Sequence, residues 1–322
     1  MARLLTHEDV QPLVSMSDAI ECMEQAFREE GEGATVLPAR INMKAGKGWL
    51  RVGPVALEKS GWMGFKAMNL VPGAGVRYQV HLYEIASGAL VAVMDAQYLT
   101  TLRTGATSAV ATRRLARPGP SVVALLGSGV EARAQLEAMQ ADGKVASARV
   151  FSPTAANRER LAEDFRLRYG MKITPAVSAE EAVSGAELIL AAVKSSVPVL
   201  FGRWLQPGSH VNSVGTARRD QREIDPETFE RSGRIVVDSK EGVFGEAGDA
   251  IAAKDVLRTD VHELSRLVTG EAPGRGGPAE ITLFKSVGTG IQDIALAALI
   301  YRHALERSVG TDLGEFPYLK RN

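Results

Sequence analysis

Val122-Val123-Ala124-Leu125-Leu126-Gly127-Ser128-Gly129-Val130-Glu131-Ala132 is an apolar run that ends in Gly-x-Gly-x-x-Ala, and its reading decides the fold. Gly127 permits a tight turn from strand to helix, Gly129 removes a Cβ where a pyrophosphate must approach, and Ala132 lets the helix pack closely on the strand. A helix opening at Val130 would present unsatisfied N–H groups to that anion. A glycine pair after an apolar run also arises from tight turning alone, so the context carries the inference. Residues 122–126 read as a buried strand, 131–139 as helix, and 148–151 as a second strand, which completes a βαβ frame. The motif lies mid-chain, so more than a hundred residues precede the cofactor domain.

Downstream, strands expected at 188–193, 210–214, 235–238 and 281–285 alternate with helices. One helix, 157–169, closes at Gly170, and another, 178–183, opens on a Ser178-x-x-Glu181 capping box. That alternation predicts an α/β chain with a Rossmann-type, doubly wound parallel sheet. Upstream the pattern differs. Met16, Ile20, Met23 and Phe27 recur at helical spacing behind Ser15 or Ser17 as cap. Residues 37–94 are strand-like, with strands at 64–70, 78–85 and 89–94, the last two joined as a hairpin through Ala86-Ser87-Gly88. A helix over 97–115 stops at Arg117-Pro118-Gly119-Pro120, and this cluster is read as a domain boundary. The last long helix, 290–307, is expected to carry the tail back to the first domain. One α+β domain is therefore placed at 1–117 and 305–322, and the dinucleotide-binding domain at 118–304.

Composition narrows the partners. The chain has 322 residues, 38 Lys+Arg against 38 Asp+Glu, and 45% hydrophobic residues. No global field recruits nucleic acid or an anionic membrane, so a small molecule is the expected partner. No apolar run approaches a membrane span, and the charged first ten residues do not read as a signal peptide. Cys22 is the single cysteine and reads as a core residue; it excludes an intrachain disulfide framework, and a cytoplasmic setting is expected. The five histidines are scattered without ligand spacing, so no metal site is expected.

Four places carry chemistry. Lys66, in Gly64-Phe65-Lys66-Ala67-Met68-Asn69, is either an edge charge reaching solvent or a desolvated ammonium suited to proton transfer. Arg103 and Thr104 are placed in the first turn or so of their helix, either as an anion site for a substrate carboxylate or cofactor phosphate, or as an ordinary exposed arginine and its neighbour. Arg40 is equally open. After the second nucleotide-domain strand, the Asp or Glu that meets a ribose 2′-hydroxyl is expected about 20 residues past the glycines. Here the chain reads Phe151-Ser152-Pro153-Thr154 with Arg158 beyond. Without that carboxylate, Ser152, Thr154 and Arg158 favour a 2′-phosphate, so NADP(H) is expected over NAD(H).

Taken together, Leu37-Pro38-x-Arg40, Gly64-Phe65-Lys66, Leu102-Arg103-Thr104-Gly105-Ala106, Gly127-x-Gly129, His210-Val211-Asn212-Ser213-Val214-Gly215 and Ser286-Val287-Gly288-Thr289-Gly290-Ile291-Gln292-Asp293 resemble the ornithine cyclodeaminase and mu-crystallin family. The resemblance covers nearly the whole chain. It implies a homodimer whose N-terminal part and tail form a substrate-binding and dimerisation domain. It also implies that Arg40 and Arg103 hold a substrate carboxylate, that Lys66 assists proton transfer, and that Thr104 meets the cofactor phosphates. Val214 and Gly215 would line the nicotinamide, with Ser286 and Val287 closing the pocket. The family's cyclodeaminases and alanine dehydrogenases carry an Asp two residues after Gly215, where this chain has Ala217. The chain thus looks closer to the ketimine and imine reductases: NAD(P)H-dependent enzymes that turn small 2-imino acids, such as pyrroline- or piperideine-2-carboxylate, into L-amino acids. The alternatives are an alanine-type dehydrogenase, an ornithine cyclodeaminase, or a cofactor-dependent ligand-binding protein of mu-crystallin type.

Overall fold

The structure is a computed structural model that describes residues 2–73 and 75–315. Residues 1, 74 and 316–322, which the sequence assigned to the first domain, lie outside the described residues. The chain divides into two compact units, one running to Arg103 and resuming at Thr289, the other spanning Thr104–Gly288. Both borders fall earlier than the expected 117/118 and 304/305. The Pro/Gly cluster ends a helix, Gln97–Leu115, whose Gly105 already lies against Ala134 of the second unit. At the other border, the helix Gly290–Glu306 packs on Met16–Gly31 and on strands of the first unit.

In the first unit, Ser15 caps Met16–Gly31, its hydroxyl accepting from the Asp18 amide while the Asp18 carboxylate accepts from the Ser15 amide. Met16, Ile20, Met23 and Phe27 form the buried stripe, each contributing roughly 1.5–3 kcal/mol by leaving water. The strands are β1 (Arg3–Leu5), β2 (Thr35–Val36), β3 (Ile41–Ala45), β4 (Gly48–Leu57), β5 (Trp62–Val71), β6 (Gly75–Glu84) and β7 (Leu90–Asp95). The sheet order is Thr311–Asp312, β1, β7, β6, β5, β4, β2, with β3 also paired to β4. Strands β4 to β7 form an antiparallel meander, and β6 and β7 are the expected hairpin. The returning tail pairs Asp312 with Arg3. Lys66 sits mid-sheet on β5, opposite Gly53 of β4 and Val80 of β6, which rules out the edge position.

The second unit carries β8 (Ser121–Leu126), β9 (Val145–Phe151), β10 (Ile173–Pro175), β11 (Leu188–Ala191), β12 (His210–Ser213), β13 (Arg234–Val237), β14 (Val261–Glu263) and β15 (Thr282–Lys285). They form a parallel sheet in the order β10-β9-β8-β11-β12-β15-β13-β14. Its first five positions follow the doubly wound 3-2-1-4-5 order, with the reversal between β8 and β11. The four residues of β11 are buried, as a strand covered on both faces requires. The two edge strands, β10 and β14, were not expected: each has three residues, too few to show a period.

Helix Gln97–Leu115 makes a close approach to helix Val130–Ala141 at Gly105, where a Cβ would run into the Ala134 backbone carbonyl. Gly105→Ala should therefore lower stability by about 1–3 kcal/mol through overpacking, against the gain of about 1 kcal/mol that alanine brings to an ordinary helix. Urea unfolding checks the sign; a stabilised variant would contradict this packing.

Candidate active site

The first unit gathers three of the expected residues around one that was not expected. Asp293 lies in the first turn of Gly290–Glu306, where a carboxylate also suits the helix dipole. Its carboxylate accepts from Lys66 Nζ at 2.8 Å and from Arg103 Nε at 3.0 Å. Arg103 Nη1 donates to Gln292 Oε1 at 2.8 Å. The Lys66 side chain is 11% exposed and that of Asp293 5%. Lys66 Nζ also lies 3.4 Å from Thr100 Oγ1 and 5.7 Å from the centre of the Tyr78 ring.

Burial pushes the Lys66 ammonium down to about 8; the Asp293 carboxylate opposes that shift and the Arg103 charge adds to it. Burial would raise the Asp293 carboxyl, but Lys66 and Arg103 outweigh it and hold the group below its ordinary value. Arg40, entering β3, contributes its charge to both. Two cations share the Asp293 carboxylate, so Lys66, Arg103 and Asp293 together carry a net positive charge suited to an anionic substrate. Thr289, the N-cap of the same helix, has a buried hydroxyl with no hydrogen-bond partner among the described residues. It is a further polar atom for a ligand to satisfy.

Arg103 is not in the first turn of its helix. Gln97 opens that helix, so Arg103 stands nearly two turns in, and its side chain donates to Asp293 and Gln292. Sequence reading missed Asp293 and Gln292 as site residues, although both lie inside a quoted motif. The available signal was a carboxylate in the first turn of a helix whose other early residues are mostly apolar.

The second unit gathers the dinucleotide candidates along the C-terminal ends of the strands. Gly127 follows β8 with φ +116°, and a Cβ there would meet the Ala192 carbonyl. Gly129 caps the helix Val130–Ala141 without a side-chain bond, and nothing lies where its Cβ would stand. An open, uncapped helix start with first-turn N–H groups lacking intrahelical partners fits a pyrophosphate. Ser128 Oγ donates to Ser152 Oγ at 3.0 Å, and Arg158 Nη1 donates to the Ser152 carbonyl at 2.8 Å, which ties the end of β9 to the glycine turn. Thr154 is the N-cap of Ala155–Tyr169 but makes no side-chain cap bond. The Thr104 carbonyl accepts from Ser108 Oγ, and its side chain is buried.

Val214 and Gly215 follow β12, and Ser286 and Val287 follow β15. The Asp238 carboxylate accepts from Ser286 Oγ at 2.6 Å and from the amides of Val287 and Gly288, which folds that turn. Asp220, three residues past Ala217, pairs with Arg218 at the surface. His210 is a core residue: burial pushes it down to about 3, and its Nδ1 meets Thr282 Oγ1. Cys22 is half-buried rather than in the core, and burial raises its thiol to about 12, which disfavours the reactive thiolate. Among the described residues there is no group of three or more His, Cys, Asp or Glu able to hold a metal. Nor is any helix there long and apolar enough to cross a membrane.

Several proteins share this arrangement of the chain. A solved Δ1-pyrroline-2-carboxylate reductase from Thermococcus litoralis, in complex with NADH and L-proline, is 36% identical with a TM-score of 0.91, covering 97% of this chain and 100% of that one. A solved archaeal alanine dehydrogenase dimer with bound NAD is 29% identical with a TM-score of 0.90, covering 99% of each chain. The ketimine reductase mu-crystallin of Mus musculus is 32% identical over 310 residues, 92% of this chain and 96% of its own. Residues 2–308 match the ornithine cyclodeaminase/mu-crystallin family as a whole, and the chain belongs to that family.

Proposed function

We propose that this chain is an oxidoreductase acting on carbon–nitrogen bonds, an NAD(P)H-dependent reductase that converts small 2-imino acids into L-amino acids. The observation that carries the reading is the Lys66–Asp293–Arg103 cluster: a buried proton donor beside a cation, both on one carboxylate. Support also comes from similarity to relatives named as a pyrroline-2-carboxylate reductase and a ketimine reductase. When bound, a reduced nicotinamide would supply the hydride for the imine carbon. Arg103, with Arg40, fixes the substrate carboxylate through charge-assisted bonds. Lys66 Nζ then gives a proton to the imine nitrogen, and Asp293 keeps that ammonium charged and aimed.

On the second unit, Gly127, Gly129 and Val130 would bind the pyrophosphate, while Val214, Gly215, Ser286 and Val287 would surround the nicotinamide. Thr104 adds a hydroxyl for the phosphates. The two solved relatives hold NADH and NAD, so the proposed preference for NADP(H) rests on Ser152, Thr154 and Arg158 of this chain alone. The enzyme works as a homodimer, a reading supported by the dimeric alanine dehydrogenase neighbour. An amino-acid dehydrogenase reading uses the same groups but lacks the carboxylate that Ala217 replaces.

The direct assay is oxidation of NADPH and NADH with pyrroline-2-carboxylate, piperideine-2-carboxylate, and pyruvate with ammonia or methylamine. Turnover of a cyclic imine is expected, and no turnover with any imine would overturn the reading. NADPH should give the higher kcat/KM; equal values, or a preference for NADH, would remove the role given to Ser152, Thr154 and Arg158. Lys66→Ala should lower kcat/KM by roughly 10²-fold, the scale of a positioned acid or base, and unimpaired reduction would refute that role. Because the protonated amine is the donor, kcat/KM should fall as pH rises through about 8. Asp293→Asn removes the charge that raises Lys66, so its fall should come at lower pH; an unmoved profile would contradict the pairing.

A further inference from the structure

Glu223 is fully buried behind the strand ends of the second unit, and its two carboxylate oxygens reach two different loops. Oε1 accepts from Ser213 Oγ at 2.6 Å and from the Gly215 amide at 2.8 Å, at the end of β12. Oε2 accepts from the Val193 amide at 3.0 Å, just past the end of β11. The carboxylate thus cross-links the segments leaving two adjacent strands. Room for this is made by Gly215, where a Cβ would strike Val193 and the Glu223 carboxylate itself.

A single buried cation anchors the arrangement. Lys285, the last residue of β15, places Nζ 2.8 Å from Ser213 Oγ, 2.6 Å from Thr216 Oγ1, 2.9 Å from Asp249 Oδ2 and 3.4 Å from Glu223 Oε1. Both carboxylates and the ammonium are 0% exposed. Thr216 Oγ1 in turn donates to Asp249 at 2.8 Å. Burying such a cluster gains little stability over apolar side chains of the same volume, so what it contributes is a fixed conformation. The topology says which conformation. In a doubly wound sheet one mononucleotide half lies over the strands on one side of the order reversal and the other half over those on the other side. The glycine turn and Ser152 occupy the β8–β9 side, which leaves the ends of β11 and β12 for the nicotinamide half.

We propose that Glu223, anchored by Lys285, is a positioning residue that sets Val193 and Val214–Thr216 against the nicotinamide half of the bound dinucleotide. The inference rests on the dinucleotide reading above. It predicts a defect confined to one end of the cofactor, which general loosening of the fold would not produce. In Glu223→Gln, the amide oxygen can serve either Gly215 and Ser213 or Val193, and the NH2 group then confronts the N–H of the other. Glu223→Asp keeps a charge for Lys285 but, one methylene shorter, cannot span both loops; it is the variant to use if the glutamine form fails to fold.

The test compares, by calorimetry, binding of the preferred reduced cofactor with binding of the same molecule lacking its nicotinamide ring, ADP-ribose or its 2′-phosphate. Both variants should lose about tenfold or more in affinity for the full cofactor and stay within about twofold of the wild type for the ring-less one. Their KM for the cofactor should rise by a like factor. Equal affinity changes for the two ligands, or none for either, would overturn the inference while leaving the reductase reading intact. A wild type that binds neither ligand would overturn the dinucleotide reading and this inference with it.

Discussion

The Asp293 carboxylate, shared between Lys66 and Arg103, is the interaction on which the first unit's chemistry depends. A buried ammonium pays heavily in lost hydration, and without a counter-charge it would shed its proton well below neutrality. Asp293 limits that fall, so Lys66 is still charged near neutral pH yet close enough to its titration to release a proton. The same carboxylate takes the Nε edge of Arg103, which fixes the plane of the guanidinium. In the proposed reaction, one residue therefore sets both the acidity of the donor and the orientation of the anion-binding group.

The fold supplies these groups from three distant parts of the sequence. Lys66 is held on a central strand, where pairing on both sides and the small Gly53 opposite fix its backbone. Arg103 stands on Gln97–Leu115, and Asp293 opens Gly290–Glu306. The carboxylate that controls Lys66 therefore lies beyond the whole second unit in the sequence. The two units also use buried charge in the same manner: a carboxylate, Asp293 or Glu223, takes several donors from separate elements and makes their spacing fixed.

How much of this was legible in the sequence depends on the range over which each signal acts. Gly127 and Gly129 were readable because a strand-to-helix turn is local, and the strand and helix on either side are long enough to show their periods. Lys66 remained ambiguous because alternation gives the face of a strand but not whether the strand is central. The register with β4 and β6 settles that. Arg103 was placed too close to a helix start, although the helix itself was read from 97. Asp293 was quoted only as part of a motif, because its partners lie 190 and 227 residues away. Lys285 did carry a warning, a lysine closing a mostly apolar strand, but of its carboxylates Glu223 sits in an irregular loop and Asp249 in a five-residue helix too short to show a period. The three-residue edge strands β10 and β14 gave no periodic signal at all.

Central to the proposed reaction is whether Lys66 and the arginines meet the two ends of one small molecule. A crystal structure with reduced cofactor and L-proline, the product expected from pyrroline-2-carboxylate, decides it. The account predicts the proline carboxylate on the guanidinium groups of Arg103 and Arg40 and its ring nitrogen within hydrogen-bond reach of Lys66 Nζ, with the Lys66–Asp293 pair kept. A carboxylate bound away from both arginines, or a ring nitrogen turned away from Lys66, would contradict it.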